Sequence, residues 1–593
     1  MKKLVSFDIE TYQNYTLFAF RGIESQKVIT IETSTKLTMQ QRTRLRSIMR
    51  KFTTVTFNGN KFDIPLTQYA ISGASCYEIW EAVQDVIKTN APDFITYQRL
   101  GLEPPQGFDT IDLSEPAPSV FTSLKTYGTR LGSTKLWELP YDPMVLLEEN
   151  EKAVLKSYCI NDLQVTEDLY HAIKGEIDLR VEMGKEYDQD LRSKSGAQVA
   201  EAVLLKETNY RGGKPSVPKV IRYKAPSCVT FDTPILIELK NLLETTSFKV
   251  NPANGQPVEP DWMKKFKTVL GGTEYKVGLG GIHDKRKKTT CSSDDDYVLL
   301  DIDVASYYPS MIIEFGFTPK HIGKKFLDVY KKIYVTRLKA KREGNKLVSN
   351  SLKLVLNSSF GKLGSMYSKL YAPDVMLHVT LTGQLMLLML IESIEAHGVE
   401  VFYANTDGIT IRCPRNSQEL IETIVFDWEL DTGMVMETEV FKSVAIRDVN
   451  NFINITQDGK IKCKGAYADT GLSKGRLAPI AFKACKEYLL NGTPLEDTIH
   501  DCKDINEFLL ARNVRGGGEF NGQYLGKVVR WYWAVDGSTI NYKTNGNKVP
   551  LSDGCQPLMD LVAHIPDNLD HYIYVEYAIK QLTNLGVSYE RKV

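Results

Sequence analysis

The stretch Val5-Ser6-Phe7-Asp8-Ile9-Glu10 reads as a strand, and strand side chains alternate, so Asp8 and Glu10 share one face. Two carboxylates two residues apart can grip one divalent cation. A second strand-like run, Thr54 to Phe57, leads into Asn58-Gly59-Asn60-Lys61-Phe62-Asp63 and a helix start. Further on, Tyr158-Cys159-Ile160-Asn161-Asp162 lies in a helical pattern, where Tyr158 and Asp162 fall on one face. Four carboxylates and a phenol are the inventory for two metal ions about 4 Å apart, one activating water and the other stabilising a leaving oxygen.

A second acidic set follows. Tyr297-Val298-Leu299-Leu300-Asp301-Ile302-Asp303 is an apolar strand that turns acidic and runs into Val304-Ala305-Ser306-Tyr307-Tyr308-Pro309-Ser310, with Pro309 where a helix can begin. Val399 to Tyr403 and Ile409 to Ile411 flank the turn Ala404-Asn405-Thr406-Asp407-Gly408, a hairpin by alternation and composition. Asp303 and Asp407 could jointly bind Mg²⁺, although aspartate before glycine is also an everyday turn. Between them the periodicity predicts a helix over Lys324 to Arg342 and another over Leu347 to Phe360, broken at Glu343-Gly344-Asn345. Arg337 and Lys341 share a face of the first, and Lys353, Asn357 and Gly361 a face of the second. Such cations and an amide suit a triphosphate, or else simply line an exposed basic hairpin.

In order and spacing these motifs resemble a known family. The DxE, NxxxFD and YxxxD set resembles the DEDDy class of 3′–5′ exonucleases over residues 1–175. Asp303 to Ser310 resembles motif A (DxxSLYPS) of family-B DNA polymerases, Lys353 to Gly361 their motif B (KxxxNSxYG), and Tyr403 to Asp407 their motif C (YxDTD). The resemblance implies an α/β multidomain chain: an RNase H-like exonuclease domain plus a right-hand polymerase with an antiparallel-sheet palm, two-helix fingers and a thumb. The expected segments are 1–175 exonuclease, 176–290 connecting and N-terminal region, 291–322 the first palm segment with motif A, 323–362 fingers with motif B, 363–474 the second palm segment with motif C, and 475–593 thumb. It implies two Mg²⁺ per site, with Mn²⁺ as a substitute, held by Asp8, Glu10, Asp63 and Asp162 in one centre and by Asp303, the Val304 carbonyl and Asp407 in the other. Tyr158 would orient the attacking water. Arg337, Lys341, Lys353 and Asn357 would hold a dNTP, and Tyr308 would occupy the space of a ribose 2′-hydroxyl. The implied partners are primer–template DNA, dNTPs and a single-stranded 3′ end in the exonuclease site, with no membrane and no protein partner specified.

Several positions depart from the pattern. Asn405 stands where motif C has its first aspartate, Phe360 replaces the motif B tyrosine, and Gly278-Leu279-Gly280-Gly281 resembles a template-contacting YxGG without its tyrosine. Asn450-Asn451-Phe452 occupies the place of a primer-holding KxY, while Lys464-Gly465 matches a lysine–glycine near duplex DNA. By the resemblance Lys135 corresponds to a lysine that some relatives use near the scissile phosphate, or else is an exposed structural lysine. Asp303 and Lys353 are separated by just enough chain for two helices and a turn, leaving no room for the extra subdomain of the protein-primed branch. The expectation is a compact bacteriophage-type polymerase that extends a nucleic-acid primer and proofreads. The alternative is a 3′–5′ exonuclease whose polymerase half is a catalytically weak DNA clamp.

Composition agrees with a folded intracellular chain. The 593 residues carry 73 basic and 73 acidic side chains and are 42% hydrophobic, which excludes a disordered or collagen-like chain. Asp8 and Glu10 interrupt any signal-like start, no apolar run of membrane length stands out, and nine scattered cysteines form no CxxC. A reduced cytoplasmic compartment, that of the host cell if the chain is viral, is expected. Elsewhere the sequence predicts a helix over Leu179 to Glu207, a mobile loop over Thr289 to Asp296, and helices over Ile480 to Leu490 and His571 to Leu585. Arg515-Gly516-Gly517-Gly518 reads as a flexible basic loop. Leu525 to Trp533 reads as a strand in which Arg530, Trp531 and Tyr532 either meet duplex backbone or belong to the core.

Overall fold

The computed structural model describes residues 2–89, 92–119 and 122–591. Met1, in the expected first segment, and residues 592–593, in the expected last one, lie outside the described residues. The fold is mixed α/β and divides into two compact units: Met1–Ser195 with Thr470–Ile480 and Ile499–Val575, and Gly196–Asp469 with Ala481–Thr498 and Glu576–Val593. The expected terminal segment 475–593 is therefore shared between them.

In the first unit, β1 (Leu4–Tyr12), β2 (Tyr15–Gly22), β3 (Val28–Thr33), β4 (Thr53–Thr56) and β5 (Asp109–Asp112) form one sheet in the order β3-β2-β1-β4-β5. β1 pairs antiparallel with β2 and parallel with β4. Alternation in β1 builds two different faces. Val5, Phe7 and Ile9 pack with Phe18, Leu45, Met49 and Leu66. The opposite face, with Asp8, Glu10 and Tyr12, meets the cluster of Leu155, Tyr158, Cys159 and Leu163 from the helix Glu149–Ala172. That helix starts at a capping box between Glu148 and Glu151. The predicted Leu179–Glu207 helix is instead two, Lys174–Glu186 and Gly196–Thr208. The break contains Asp188 at φ 48°, and Arg180 holds it by donating to the Lys194 carbonyl.

The second unit adds a two-stranded pair, β6 (Val220–Arg222) and β7 (Ser247–Lys249), and one large sheet. The strands of that sheet are β8 (Thr268–Leu270), β9 (Thr273–Lys276), β10 (His283–Asp284), β11 (Thr289–Ser292), β12 (Tyr297–Val304), β13 (Glu400–Asn405), β14 (Gly408–Pro414), β15 (Met436–Asp448), β16 (Asn451–Thr456) and β17 (Ile461–Lys464). Its order is β17-β16-β15-β12-β14-β13-β10-β9-β8, with β11 on β15. Thr289 to Ser292 is thus a paired strand and not the expected mobile loop; the turn comes after it, where Asp294 accepts from the Asp296 and Tyr297 amides. On β12, Val298, Leu300, Ile302 and Val304 are buried on one face. Leu299 joins Tyr403 and Phe441 on the other, which becomes acidic at Asp301 and Asp303. The helices Lys324–Arg342 and Lys346–Leu363 stand where the periodicity puts them, and Asn345 caps the second. The helix Pro373–Ala396 is long and apolar enough to cross a membrane, contrary to the sequence expectation, but 83% of its most apolar window is buried inside the protein. His378, Thr380, Thr382 and Gln384 punctuate its sequence and hide it from a simple run count.

The first unit also holds a four-stranded sheet of β18 (Leu510–Phe520), β19 (Gln523–Ser538), β20 (Asn541–Tyr542) and β21 (Cys555–Pro557). The predicted loop at Arg515 to Gly518 lies inside β18, where the register shifts between Asn513 and Gly518 and Gly516 and Gly517 take positive φ. This is an irregular strand. Among the described residues no two of the nine cysteines form a disulfide.

Candidate functional site

Two acidic centres emerge, one in each unit. In the first, β1 supplies Asp8 and Glu10, and the helix Glu149–Ala172 supplies Tyr158, Cys159 and Asp162 to the same face. Asp63 enters from the first turn of the helix Asp63–Ser72, where its Oδ1 accepts from the Ile9 amide at 3.2 Å. The turn before it is held by Asp112, a residue the sequence did not single out: its carboxylate accepts from the Asn58 and Asn60 amides at 2.8 and 2.9 Å. That contact fixes Asn58 at φ 64°. Tyr158 lies one helical turn before Asp162 on the same face of its helix, and burial, helped by the nearby Asp162 and Glu10 charges, raises the proton affinity of the phenol.

The electrostatics are those of a cluster short of positive charge. Loss of hydration pushes Asp8 up to about 7, helped by the negative charge of Asp162. Burial raises Asp162 to about 6, and Glu10 and Asp63 are raised by burial and by Asp8. The cation acting on Asp8, Glu10 and Asp162 is Lys125, whose ammonium lies 4.7 Å from the centre of the Tyr158 ring. Lys135, the sequence candidate, instead places its ammonium 3.6 Å over the Trp137 ring. Lys125 sits in the first turn of the helix Leu124–Leu131, capped by Ser123; no motif marks it. The Cys159 thiol donates to Asp8 at 3.6 Å, and Asp8, Glu10 and Cys159 bring one ligand atom each within 4.8 Å of one another.

In the second centre, β12 and the β13–β14 hairpin bring Asp303 and Asp407 together. Asp303 is in register with Gly408, and the Val304 amide donates to the Asp407 carbonyl at 2.8 Å. Gly408 has no Cβ, and the Asp303 carboxylate occupies the space one would fill. Both aspartates keep an exposed face. Partial loss of hydration, with the charges of Asp301 and Asp407, nevertheless pushes Asp303 up to about 7. Asp301 accepts from Thr410 Oγ1 at 2.8 Å. Across β15, Glu439 faces Asp301 and Glu437 faces Asp303, which extends the acidic row beyond the pair read from sequence.

Asn405 is buried and committed elsewhere. Its amide donates to the Tyr403 hydroxyl at 3.1 Å and to the Val449 carbonyl at 3.4 Å. The glycine segment ends beside the hairpin tip, where a Cβ on Gly281 would collide with Thr406. Tyr308 packs its ring against Phe360, 4.6 Å between centroids. Arg337 donates to Ser306 Oγ at 2.8 Å and Lys341 lies 3.7 Å from Glu437, so both reach the acidic strand end. Lys353 and Asn357 are exposed on the helix of Phe360. Arg530 is not available to DNA: it is fully buried, and its guanidinium donates to the Leu558, Ser133 and Met559 carbonyls. Trp531 and Tyr532 are buried with it.

No protein-family model matches the chain. Stretches of it are similar to DNA polymerase II of Escherichia coli (29% identical over 134 residues, 18% of this chain and 17% of that protein). Stretches are also similar to DNA polymerase 1 of Saccharolobus solfataricus (29% over 122 residues, 20% and 14%) and to the DNA polymerase alpha catalytic subunit of Arabidopsis thaliana (28% over 265 residues, 38% and 16%). Among solved structures, the family B DNA polymerase from the archaeon Pyrobaculum calidifontis aligns over 100% of this chain and 79% of its own, at 15% identity and TM-score 0.42. The matched stretches span less than a fifth of the length of these curated relatives. The chain thus shares stretches of sequence with DNA polymerases of a bacterium, an archaeon and a plant.

Proposed function

We propose that this protein is a DNA-templated DNA polymerase of family B with a DEDDy 3′–5′ proofreading exonuclease, compact and of bacteriophage type, acting in the cytoplasm on a nucleic-acid primer. The observation that carries the reading is the meeting of Asp303, at the end of β12, with Asp407, at the hairpin tip, beside the Tyr308–Phe360 pair, in a chain with stretches similar to DNA polymerases. The β3-β2-β1-β4-β5 sheet carrying Asp8 and Glu10 on its central strand supports an RNase H-like reading of the other centre.

Both donor sets fit divalent cations. Asp8 and Glu10 bring carboxylate oxygens within reach of one ion, and Asp303 is raised by burial and by neighbouring negative charge, the second of which a cation would relieve. Bound Mg²⁺ or Mn²⁺ would lower the proton affinity of a primer hydroxyl or a water and neutralise charge on the departing group. Asp303, Asp407 and the Val304 carbonyl would hold it in the polymerase centre, and Asp8, Glu10, Asp63 and Asp162 in the exonuclease. The protein's own work is placement. Arg337, Lys341, Lys353 and Asn357 bind the triphosphate of the incoming dNTP. Tyr308, backed by Phe360, fills the space a 2′-hydroxyl needs. Tyr158 directs a water at the terminal phosphodiester of a frayed single strand.

One gel tests this. A 5′-labelled primer on a longer template is incubated with Mg²⁺, with and without dNTPs. Extension with dNTPs and shortening without them are expected. Asp407→Ala should abolish extension and spare shortening, and Asp8→Ala with Glu10→Ala should do the reverse. Shortening in both lanes would replace this reading with a nuclease whose second half is a clamp, and extension surviving Asp407→Ala would overturn the assignment of the centre.

A further inference from the structure

We propose that Lys462 is a positioning residue for the primer, its ammonium binding a backbone phosphate next to the 3′ end held at Asp303; this rests on the polymerase reading above. Lys462 lies on the edge strand β17, opposite Asn454 of β16. Its side chain nevertheless crosses the sheet to the acidic row, where the ammonium lies 3.8 Å from Asp301 and pairs with Glu439. Asp301 and Glu439 face each other on β12 and β15, and Thr410 holds Asp301 from the third strand. A long, flexible cation from the sheet edge is thereby fixed beside Asp301, two residues from Asp303 on the same strand face, and tempers the negative charge of Asp303.

Three observations separate this from an ordinary surface ion pair. The face carries five carboxylates, Asp301, Asp303, Asp407, Glu437 and Glu439, at or beside the centre, so a polyanionic strand end approaches where cations are placed for it. Lys462 and Glu439 are about equally open, at 45% and 40% exposure, so a phosphate oxygen can replace the Glu439 carboxylate without burying a charge. A second ammonium on this row, Lys341, comes from the Lys324–Arg342 helix, pairs with Glu437 and is assigned above to the triphosphate. At Asn450-Asn451-Phe452, where the resemblance expects a primer lysine, the Asn451 amide is tied to Asp448 instead. Lys464, two residues along β17, projects from the same strand face, and its charge acts on Asp407. Lys462 therefore supplies from β17 the cation that β16 lacks.

The test uses the full-length protein, Lys462→Ala and Lys462→Arg, with binding to a fluorescent primer–template followed from about 50 to 200 mM salt. Lys462→Ala should lower the log–log salt slope by about 0.9, the loss of one phosphate contact. The KM for primer–template should rise about five-fold, as for a partly exposed charge pair, when measured at a pH high enough that Asp303 stays ionised without the lysine. Lys462→Arg should restore the slope. A Lys462→Ala protein with wild-type slope and KM, even one of altered Tm, would show a structural ion pair and overturn the inference. An equal loss of slope on unprimed template would overturn the primer assignment. If wild-type protein fails to extend at all, the polymerase reading falls, while the slope still scores the phosphate contact.

Discussion

Replacing Arg530 by Met separates a core role from a nucleic-acid role at a residue whose alternation with aromatics allows both. Its guanidinium donates to the Leu558 carbonyl at 2.8 Å, to Ser133 at 2.8 Å and to Met559 at 3.0 Å. Met559 also accepts from the Leu136 amide, so it keeps a partner in the variant. The Leu558 and Ser133 carbonyls would lose the arginine donors. An orphaned buried carbonyl costs ~1–3 kcal/mol, so the pair costs about 2–6 kcal/mol. Part of this is returned, because burying the charge is itself unfavourable: burial and the nearby Arg476 depress the guanidinium to about 10. The net expected loss is about 3 kcal/mol. Trp531 and Trp533 flank the site, each donating to the Leu551 carbonyl, so urea denaturation followed by tryptophan fluorescence reads the unit directly. The salt slope of DNA binding should not change. Stability within about 1 kcal/mol of wild type, or a slope lowered by about one, would refute the core role.

Three further outcomes are expected. Because Asp8 and Asp162 are raised by burial to about 7 and 6, they bind protons more tightly folded than unfolded, so the metal-free first unit should lose stability as pH rises from about 4 through 7; Mg²⁺ should restore it at pH 8, and a flat Tm profile in EDTA would contradict the assignment. Lys125→Met removes the cation that favours ionised Asp8, Glu10 and Asp162 and should move the acidic limb of the degradation pH profile upward by about one pH unit; an unmoved limb would leave Lys125 a packing residue. Asn405→Asp replaces an amide donor to Tyr403 and Val449 and should cost about 1 kcal/mol of stability without accelerating extension, whereas a ten-fold gain would make position 405 a vacated ligand.

What the sequence made legible followed from strong local signals. The helices Lys324–Arg342 and His571–Leu585 begin and end where their patterns do, because amphipathic periodicity and the Glu343-Gly344-Asn345 break are local. The carboxylates Asp8, Glu10, Asp162, Asp303 and Asp407 were legible because motif spacing reports which side chains share a face. Contacts between distant segments were not. Arg530 stays open between surface and core in the sequence until the Ser133 and Leu558 carbonyls, from other segments of the chain, are placed against it. Thr289 to Ser292 reads as a loop because its partner, Ser443 to Ile446 of β15, lies about 150 residues away. Lys125 carries no motif and becomes visible only beside Tyr158.

The two acidic centres share a physical construction that bears on how each could be switched on. Each occupies a strand face whose other residues belong to an apolar cluster: Tyr12 follows Asp8 and Glu10 on β1, and Leu299 precedes Asp301 and Asp303 on β12. The neighbouring hydrophobic side chains that make the strand rigid also strip water from the carboxylates, and this is the first cause of their raised proton affinity. Repulsion among the acids adds to it. Each set is then tempered by lysine from a neighbouring element, held by a glutamate outside the proposed ligand set: Lys125 lies 3.9 Å from Glu138, and Lys462, two residues from the Lys464 that acts on Asp407, pairs with Glu439. The carboxylates of each set outnumber these ammonium groups, and a divalent cation would relieve the remaining repulsion. The lysines are tethered at the margin, where they lower the charge without filling the place between the aspartates. On the proposed polymerase and exonuclease reading, a cation arriving there would weaken the hold of the acids on each lysine and free it for a phosphate, coupling metal binding to capture of the nucleic-acid strand.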